Sequence, residues 1–166
     1  ERSSILLRTA NTSLIREQRE YKTYNPRYAH LNFEISTEYE LIVPVNKKSL
    51  VSRIDECLEK QGLDSLTSGK YKRGRKIGAV IMFSASRDRM QQIAFGEKGV
   101  TFSPDGCCPE KASTHNFRLW ALQVRKFVCQ RYGKKNLVAF IAHLDIARPE
   151  VIAIVLAVGD GQYLSY

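Results

Sequence analysis

Leu137-Val138-Ala139-Phe140-Ile141-Ala142-His143-Leu144 and Val151-Ile152-Ala153-Ile154-Val155-Leu156-Ala157-Val158 are two β-rich apolar runs, with Asp145-Ile146-Ala147-Arg148-Pro149-Glu150 between them. A connection this short suits a hairpin, so the runs read as antiparallel neighbours. Gly159-Asp160-Gly161 then turns the chain toward Tyr163 to Tyr166. Upstream, Phe117, Trp120, Ala121, Val124, Phe127 and Val128 recur at helical spacing, with Thr114 placed to cap the start and Gly133 near the end. Arg87 to Phe95 reads as another helix, and Gly96 to Ser113, with Pro104, Asp105, Gly106 and Pro109, as loop. Ile77 to Ser84 is an apolar run of the kind buried on both faces.

The first half follows the same logic. Leu50, Val51, Ile54, Cys57 and Leu58 predict an amphipathic helix, capped by Ser49 and stopped near Gly62. His30 to Ser36 alternates as a strand, with Leu31, Phe33 and Ile35 on one face and His30, Asn32 and Glu34 sharing the other. Ile5 to Arg8 reads as a short strand, while Asn11 to Asn25 is polar, basic and open to helix or loop. Helices interspersed among hairpin-forming strands predict one α+β domain over residues 1–166: a central antiparallel sheet with helices packed on one face.

Composition sets the function classes. The 166 residues carry 26 Lys and Arg against 17 Asp and Glu, a net charge of +9, and 43% are hydrophobic, enough for an ordinary core. No apolar run approaches the roughly 20 residues that cross a bilayer, so no membrane partner is expected. Cys57, Cys107, Cys108 and Cys129 lack the spacing of a zinc knuckle and read as reduced thiols of a cytoplasmic protein. No phosphate-cradling glycine loop or Ser/His/Asp set points to small-molecule catalysis.

The excess cations favour a polyanion, because Lys and Arg release counterions from a phosphate backbone. Lys70, Lys72, Arg73, Arg75 and Lys76 form a dense run containing Tyr71, made loop-like by Gly69 and Gly74, and Arg16, Arg19, Lys22 and Arg27 are interleaved with Tyr21, Tyr24 and Tyr28. Aromatic rings among cations suit a single strand, whose bases stack while cations follow its phosphates. A solvated loop and a charged face are the alternative for either run alone.

Two segments carry a family resemblance. Asn25-Pro26-Arg27-Tyr28-Ala29-His30-Leu31-Asn32-Phe33-Glu34 is similar to N-P-x-x-x-H-L-N-(Tyr/Phe)-E of the MobV-type (Mob/Pre) plasmid mobilisation relaxases. His143-Leu144-Asp145-Ile146-Ala147-Arg148-Pro149-Glu150-Val151-Ile152 resembles that family's H-L-D-E-x-x-P-H-x-H, followed as there by an apolar strand, a D-G turn and L-S. Arg75-Lys76 leading into Ala79-Val80, and a long helix closing in Tyr132-Gly133, extend the likeness in order over most of the chain.

The resemblance implies a relaxase-like fold of the His-hydrophobe-His endonuclease superfamily and origin DNA, single-stranded or hairpin, as partner, with mobilisation accessory proteins as further partners. Relatives in that family usually continue into a long helical region, so the chain is expected to be either an excised domain or a shortened descendant. An active member would use Mn2+ or Mg2+ held by histidines on neighbouring strands, and a nucleophilic side chain to form a covalent link to DNA. Of the ligand positions His143 matches, while the others fall on Glu150 and Ile152, and the family's acidic position falls on Ile146. Glu150 and Asp145 offer oxygen to a hard cation beside His143; otherwise His143 is a hydrogen-bonded histidine at a sheet end. The family's H-N-x-R window holds Asn11-Thr12-Ser13-Leu14-Ile15-Arg16 and no histidine, which leaves Tyr21 or Tyr24 as substitute nucleophile or, alternatively, as stacking or packing residues. His30 and Asn32 carry over as contributors to DNA contact or site shape; a plain surface strand face is the alternative. His115 matches nothing in the family and reads as structural.

Overall fold

A computed structural model describes residues 25–68, 77–97, 114–159 and 162–163. Tyr21, Tyr24, Arg16, Arg19, Lys22, Lys70, Tyr71, Lys72, Arg73, Arg75 and Lys76 lie outside the described residues, as do the strand expected at Ile5 to Arg8 and most of the loop from Gly96 to Ser113.

Among the described residues five strands form one antiparallel sheet: β1 (Phe33–Ile35), β2 (Ile42–Val43), β3 (Gly78–Phe83), β4 (Leu137–His143) and β5 (Glu150–Leu156), in the order β2-β1-β4-β5-β3. The expected hairpin is its centre. β4 and β5 pair in a register that sets His143 opposite Glu150 and Ile141 opposite Ile152, and both strands are buried almost throughout. A second hairpin pairs β6 (Val158–Gly159) with β7 (Gln162–Tyr163).

Among the described residues three α-helices accompany the sheet: α1 (Leu50–Glu59), α2 (Arg87–Phe95) and α3 (His115–Tyr132). Ser49 caps α1 by accepting from the Ser52 N–H at 3.1 Å, and Gly62, at φ +69°, takes the left-handed turn beyond its end. Thr114 holds the N-cap place of α3, yet its side chain makes no cap bond. His115, the first residue of α3, is exposed.

The helices occupy both faces of the sheet, which corrects the expectation of one. Met90 and Ala94 of α2 and Phe117, Ala121 and Val128 of α3 pack on Phe33, Phe140, Ala142, Val151 and Ala153. Leu50, Ile54 and Leu58 of α1 pack on the opposite face, against Ile141, Ile152, Ile154 and Leu156. Alternate residues of β4 and β5 feed the two cores in turn, and each large side chain so buried stabilises the fold by about 1.5–3 kcal/mol.

Three further expectations are corrected. β3 is an edge strand among the described residues and is only partly buried, with Met82 47% exposed. Gly78 is required there, since a Cβ would collide with the carbonyl of Val155 on β5. The strand expected from His30 begins only at Phe33: Pro26–Leu31 is a 3-10 turn, started by the fixed φ of Pro26 and by the Asn25 side chain, which accepts from the Arg27 N–H at 3.0 Å. Finally, Phe127 of the expected core stripe is 53% exposed, edge-on to Phe83 at 6.2 Å, and Arg125 is buried in α3 instead.

Candidate nucleic-acid interface at the strand ends

The segments that carry the family resemblance meet at one end of the sheet. The Asn32 side chain lies where β1 begins, and its Oδ1 accepts from the N–H of Leu144 at 2.8 Å and of Asp145 at 3.3 Å. Its Nδ2 donates to Asp145 Oδ2 at 2.6 Å. Asn25 closes the other end of the 3-10 turn by donating its backbone N–H to the Asp145 carbonyl at 2.8 Å. An amide with one acceptor and one donor side suits this arrangement, because it bonds two N–H groups and a carboxylate at once.

The Leu144 to Pro149 connection is held from the α2 side as well. Gln91 Nε2 donates to the Ala147 carbonyl at 2.9 Å, and Ser84 Oγ donates to the Pro149 carbonyl at 3.2 Å. Neither residue carried a signal in the sequence beyond being a polar side chain near an element end. Arg148 and, across the latch, Arg27 and His30 are exposed. The latched end therefore presents two guanidinium groups and an imidazole on a backbone fixed by side-chain hydrogen bonds.

His143 and Glu150, opposite each other on β4 and β5, face the α1 side of the sheet, and His143 Nδ1 lies 3.7 Å from Glu150 Oε1. That separation is electrostatic and longer than a hydrogen bond. The His143 side chain keeps 12% exposure and that of Glu150 2%, so the imidazole reaches the surface with the carboxylate behind it.

The expected metal set comes together in part. Asp145 is 1% exposed, with its carboxylate engaged by Asn32. Ile152, on the same face as Glu150, is packed in the α1 core. Among the described residues no group of three His, Cys, Asp or Glu side chains is placed to share one ion. These residues thus do not fit a three-ligand divalent site: the adjacent pair supplies one nitrogen and one oxygen, and the next place on the face is a buried hydrocarbon.

Glu34 corrects the reading of a polar strand face. It is 3% exposed and forms a bidentate ion pair with Arg53 of α1, while accepting from the Asn46 N–H at 3.0 Å. Arg53 also donates to the Val138 carbonyl at 2.9 Å, tying β1, β4 and α1 together. No local pattern signals this pair, whose partners stand 19 residues apart. Lys60 Nζ meets Glu38 Oε1 at 2.6 Å, and each holds the other's charged form, lowering the Glu38 pKa and raising that of Lys60.

Superposition on solved structures places this architecture. The chain shares the fold of the MobM relaxase domain (MOBV; Mob_Pre). It matches the Mn-bound crystal structure of that domain with plasmid pMV158 oriT DNA, 22 nucleotides with a 3′ thiophosphate, at a TM-score of 0.59 and 17% identity, covering 90% of this chain and 62% of that one. Two further Mn-bound crystal structures of MobM with the 22-nucleotide DNA match at TM-scores of 0.59 and 0.58, with 16% and 17% identity; 90% and 88% of this chain align with 64% and 62% of those. The chain thus spans less than two thirds of the MobM domain's length. No family model matches the sequence, and no curated protein matches it significantly. No helix among the described residues is long and apolar enough to cross a membrane.

Proposed function

We propose that this chain is a relaxase-fold DNA-binding domain of a mobile genetic element, engaging single-stranded or hairpin origin DNA with the latched strand ends. The observation that carries the reading is the Asn32 latch, which joins the two MobV-like segments into one surface on a fold shared with an oriT-bound relaxase domain. Arg27, Arg148 and His30 supply the exposed donors for phosphate there. His143 extends them, its imidazole backed by the Glu150 carboxylate. The basic runs at Arg16 to Arg27 and Lys70 to Lys76 add counterion release and stacking.

Binding on this account does not depend on a divalent ion, in keeping with the lack of any group of three His, Cys, Asp or Glu side chains placed to share one among the described residues. The test is a gel on supercoiled plasmid carrying the DNA that flanks the protein's own gene, run with Mn2+ and with EDTA. The expected result is an equal shift in both lanes, weakening steeply with salt, and no nicked circles. Mn2+-dependent nicking that disappears in His143→Ala would instead establish an active nuclease with Tyr21 or Tyr24 as candidate nucleophile. Absence of any shift at low salt would refute DNA binding itself.

A further inference from the structure

At the other end of the sheet, where β4 begins and β1 ends, a cavity of about 540 Å³ opens between α1 and the strands. β4 separates it from the latched end by seven residues, roughly 20–24 Å of extended chain. Its charged lining is Glu38, Arg53, Glu56, Lys60, Lys134 and Lys135. Most of that charge is internally matched. Arg53 is held by Glu34, Glu38 by Lys60 at 2.6 Å, and Glu56 by Lys48 at 2.8 Å. Lys134 and Lys135 are exposed, and among the described residues neither has a carboxylate within ion-pairing distance. The cavity therefore carries two cations that form no ion pair among the described residues, although Lys134 is near enough to help Lys60 lower the Glu38 pKa.

The backbone beneath those lysines is built rather than loose. The Lys135 carbonyl accepts from Cys57 Sγ at 3.1 Å and from Gln61 Nε2 at 3.1 Å. Asn136 Nδ2 donates to the carbonyls of Tyr132 and Val158 at 2.8 and 2.7 Å, fixing the short turn that carries both lysines. Exposed aromatic rings stand in the chain on either side. Tyr132, two residues before Lys134, is 39% exposed, and Tyr39, next to Glu38, is 72% exposed. The turn that presents Tyr39 is held in place: Glu40 sits at φ +58°, a conformation that costs a non-glycine residue energy, and the buried Arg125 donates to Glu40 Oε1 at 2.6 Å and to the Thr37 carbonyl at 2.9 Å.

We infer that this cavity is a second binding place for single-stranded DNA, in which Lys134 and Lys135 bind backbone phosphate, while the exposed rings of Tyr39 and Tyr132, close in the chain to the lining residues Glu38 and Lys134 but outside the lining, are available to bases at its margin. The inference rests on the DNA-binding reading above and extends it to a strand long enough to reach over the surface from the latch to the cavity, β4 itself being buried. Ammonium groups without an ion-pair partner on a fixed turn, with exposed tyrosines nearby in the chain, suit a strand whose phosphates are bound while its bases are free to stack.

The test uses the full chain and a 30-nucleotide oligo-dT, with binding read by fluorescence anisotropy as salt is varied. Lys134→Ala/Lys135→Ala, with unchanged circular dichroism and melting temperature, is expected to make the slope of log K against log salt shallower by roughly 1.4, since each single-strand phosphate neutralised by a lysine accounts for about 0.7. Lys126→Ala, an exposed position on α3 outside the cavity, serves as the control and should leave the slope unchanged. In parallel, acetylation read by mass spectrometry should show Lys134 and Lys135 protected when oligo-dT saturates the protein. An unchanged slope together with full acetylation would overturn the second binding place while leaving the strand-end reading standing, as would protection by poly-glutamate and not by DNA. Wild-type protein that binds no oligonucleotide at low salt would overturn both.

Discussion

Replacing Asn32 tests whether the two motif segments are one structural unit. In Asn32→Ala the buried Asp145 carboxylate loses the donor at 2.6 Å and the Leu144 N–H loses the acceptor at 2.8 Å, while the 3.3 Å bond to the Asp145 N–H is long enough to matter little. A hydrogen bond to a charged group contributes about 1.5–3 kcal/mol and a stranded buried N–H costs about 1–3 kcal/mol; with partial entry of water the sum is about 3 kcal/mol. For a chain of this size that corresponds to a fall in melting temperature of roughly 6–12 °C. Asn32→Asp keeps the shape but turns a carboxylate oxygen toward Asp145. Two carboxylates at that distance cannot both ionise readily, so the folded variant holds a proton that the unfolded chain releases. Its stability must therefore fall as pH rises, the reverse of an acid residue gaining a cationic partner. Urea melts at about pH 7.5 and about pH 4.5 check the sign: the Asp variant should be less stable at the higher pH and recover at the lower. A loss below about 1 kcal/mol for Asn32→Ala, or an Asp variant indifferent to pH, would refute the latch.

Other consequences follow from the buried and exposed charges. Arg53→Ala strands the Glu34 carboxylate in the core, and urea unfolding should show a loss of about 3–5 kcal/mol, with the Glu34→Leu/Arg53→Met double variant recovering much of it. Burial raises the pKa of Cys57 and, to the same sign, of Cys129; alkylation followed by mass spectrometry should find both slower than a free thiol at neutral pH, accelerating only above the ordinary thiol range. The Glu38–Lys60 pair works in opposite directions at the two ends of the pH scale. Its contribution is lost as pH falls through the lowered Glu38 value and again as pH rises through the raised Lys60 value. Because both side chains are exposed, added salt should flatten that dependence in a pH series of thermal melts.

Much of the fold was legible because local signals agreed with the final packing. The α1 helix follows its apolar period from a Ser49 cap to Gly62, α2 spans Arg87–Phe95 as read, and the central hairpin follows from two apolar runs and a six-residue connection. Periodicity shows that a helix has one apolar face but not which side of a sheet receives it, and so the placement of α1 opposite α2 and α3 was not readable. Alternation misled at Glu34, because a polar residue on a strand looks solvent-facing until its partner, Arg53 on another element, is known. Arg125 escaped for the same reason, since its partners Thr37 and Glu40 lie 88 and 85 residues away. At the candidate interface, the motif resemblance marked Asn32 as a contributor to DNA contact or site shape and His143 and Asp145 as metal ligands, while the bonding of Asn32 to Asp145 and to the Leu144 backbone required the hydrogen bonds themselves. The supports from Ser84 and Gln91 are single side-chain bonds to backbone carbonyls and leave no trace in sequence spacing.

Hydrogen–deuterium exchange of the full chain, with and without saturating single-stranded DNA from the region flanking its gene, tests the strand-end interface most directly. Added protection across residues 25–32 and 143–150, equal in Mn2+ and in EDTA, is the predicted result. Exchange in both segments that is unchanged by bound DNA, or protection that appears only with Mn2+, would contradict it.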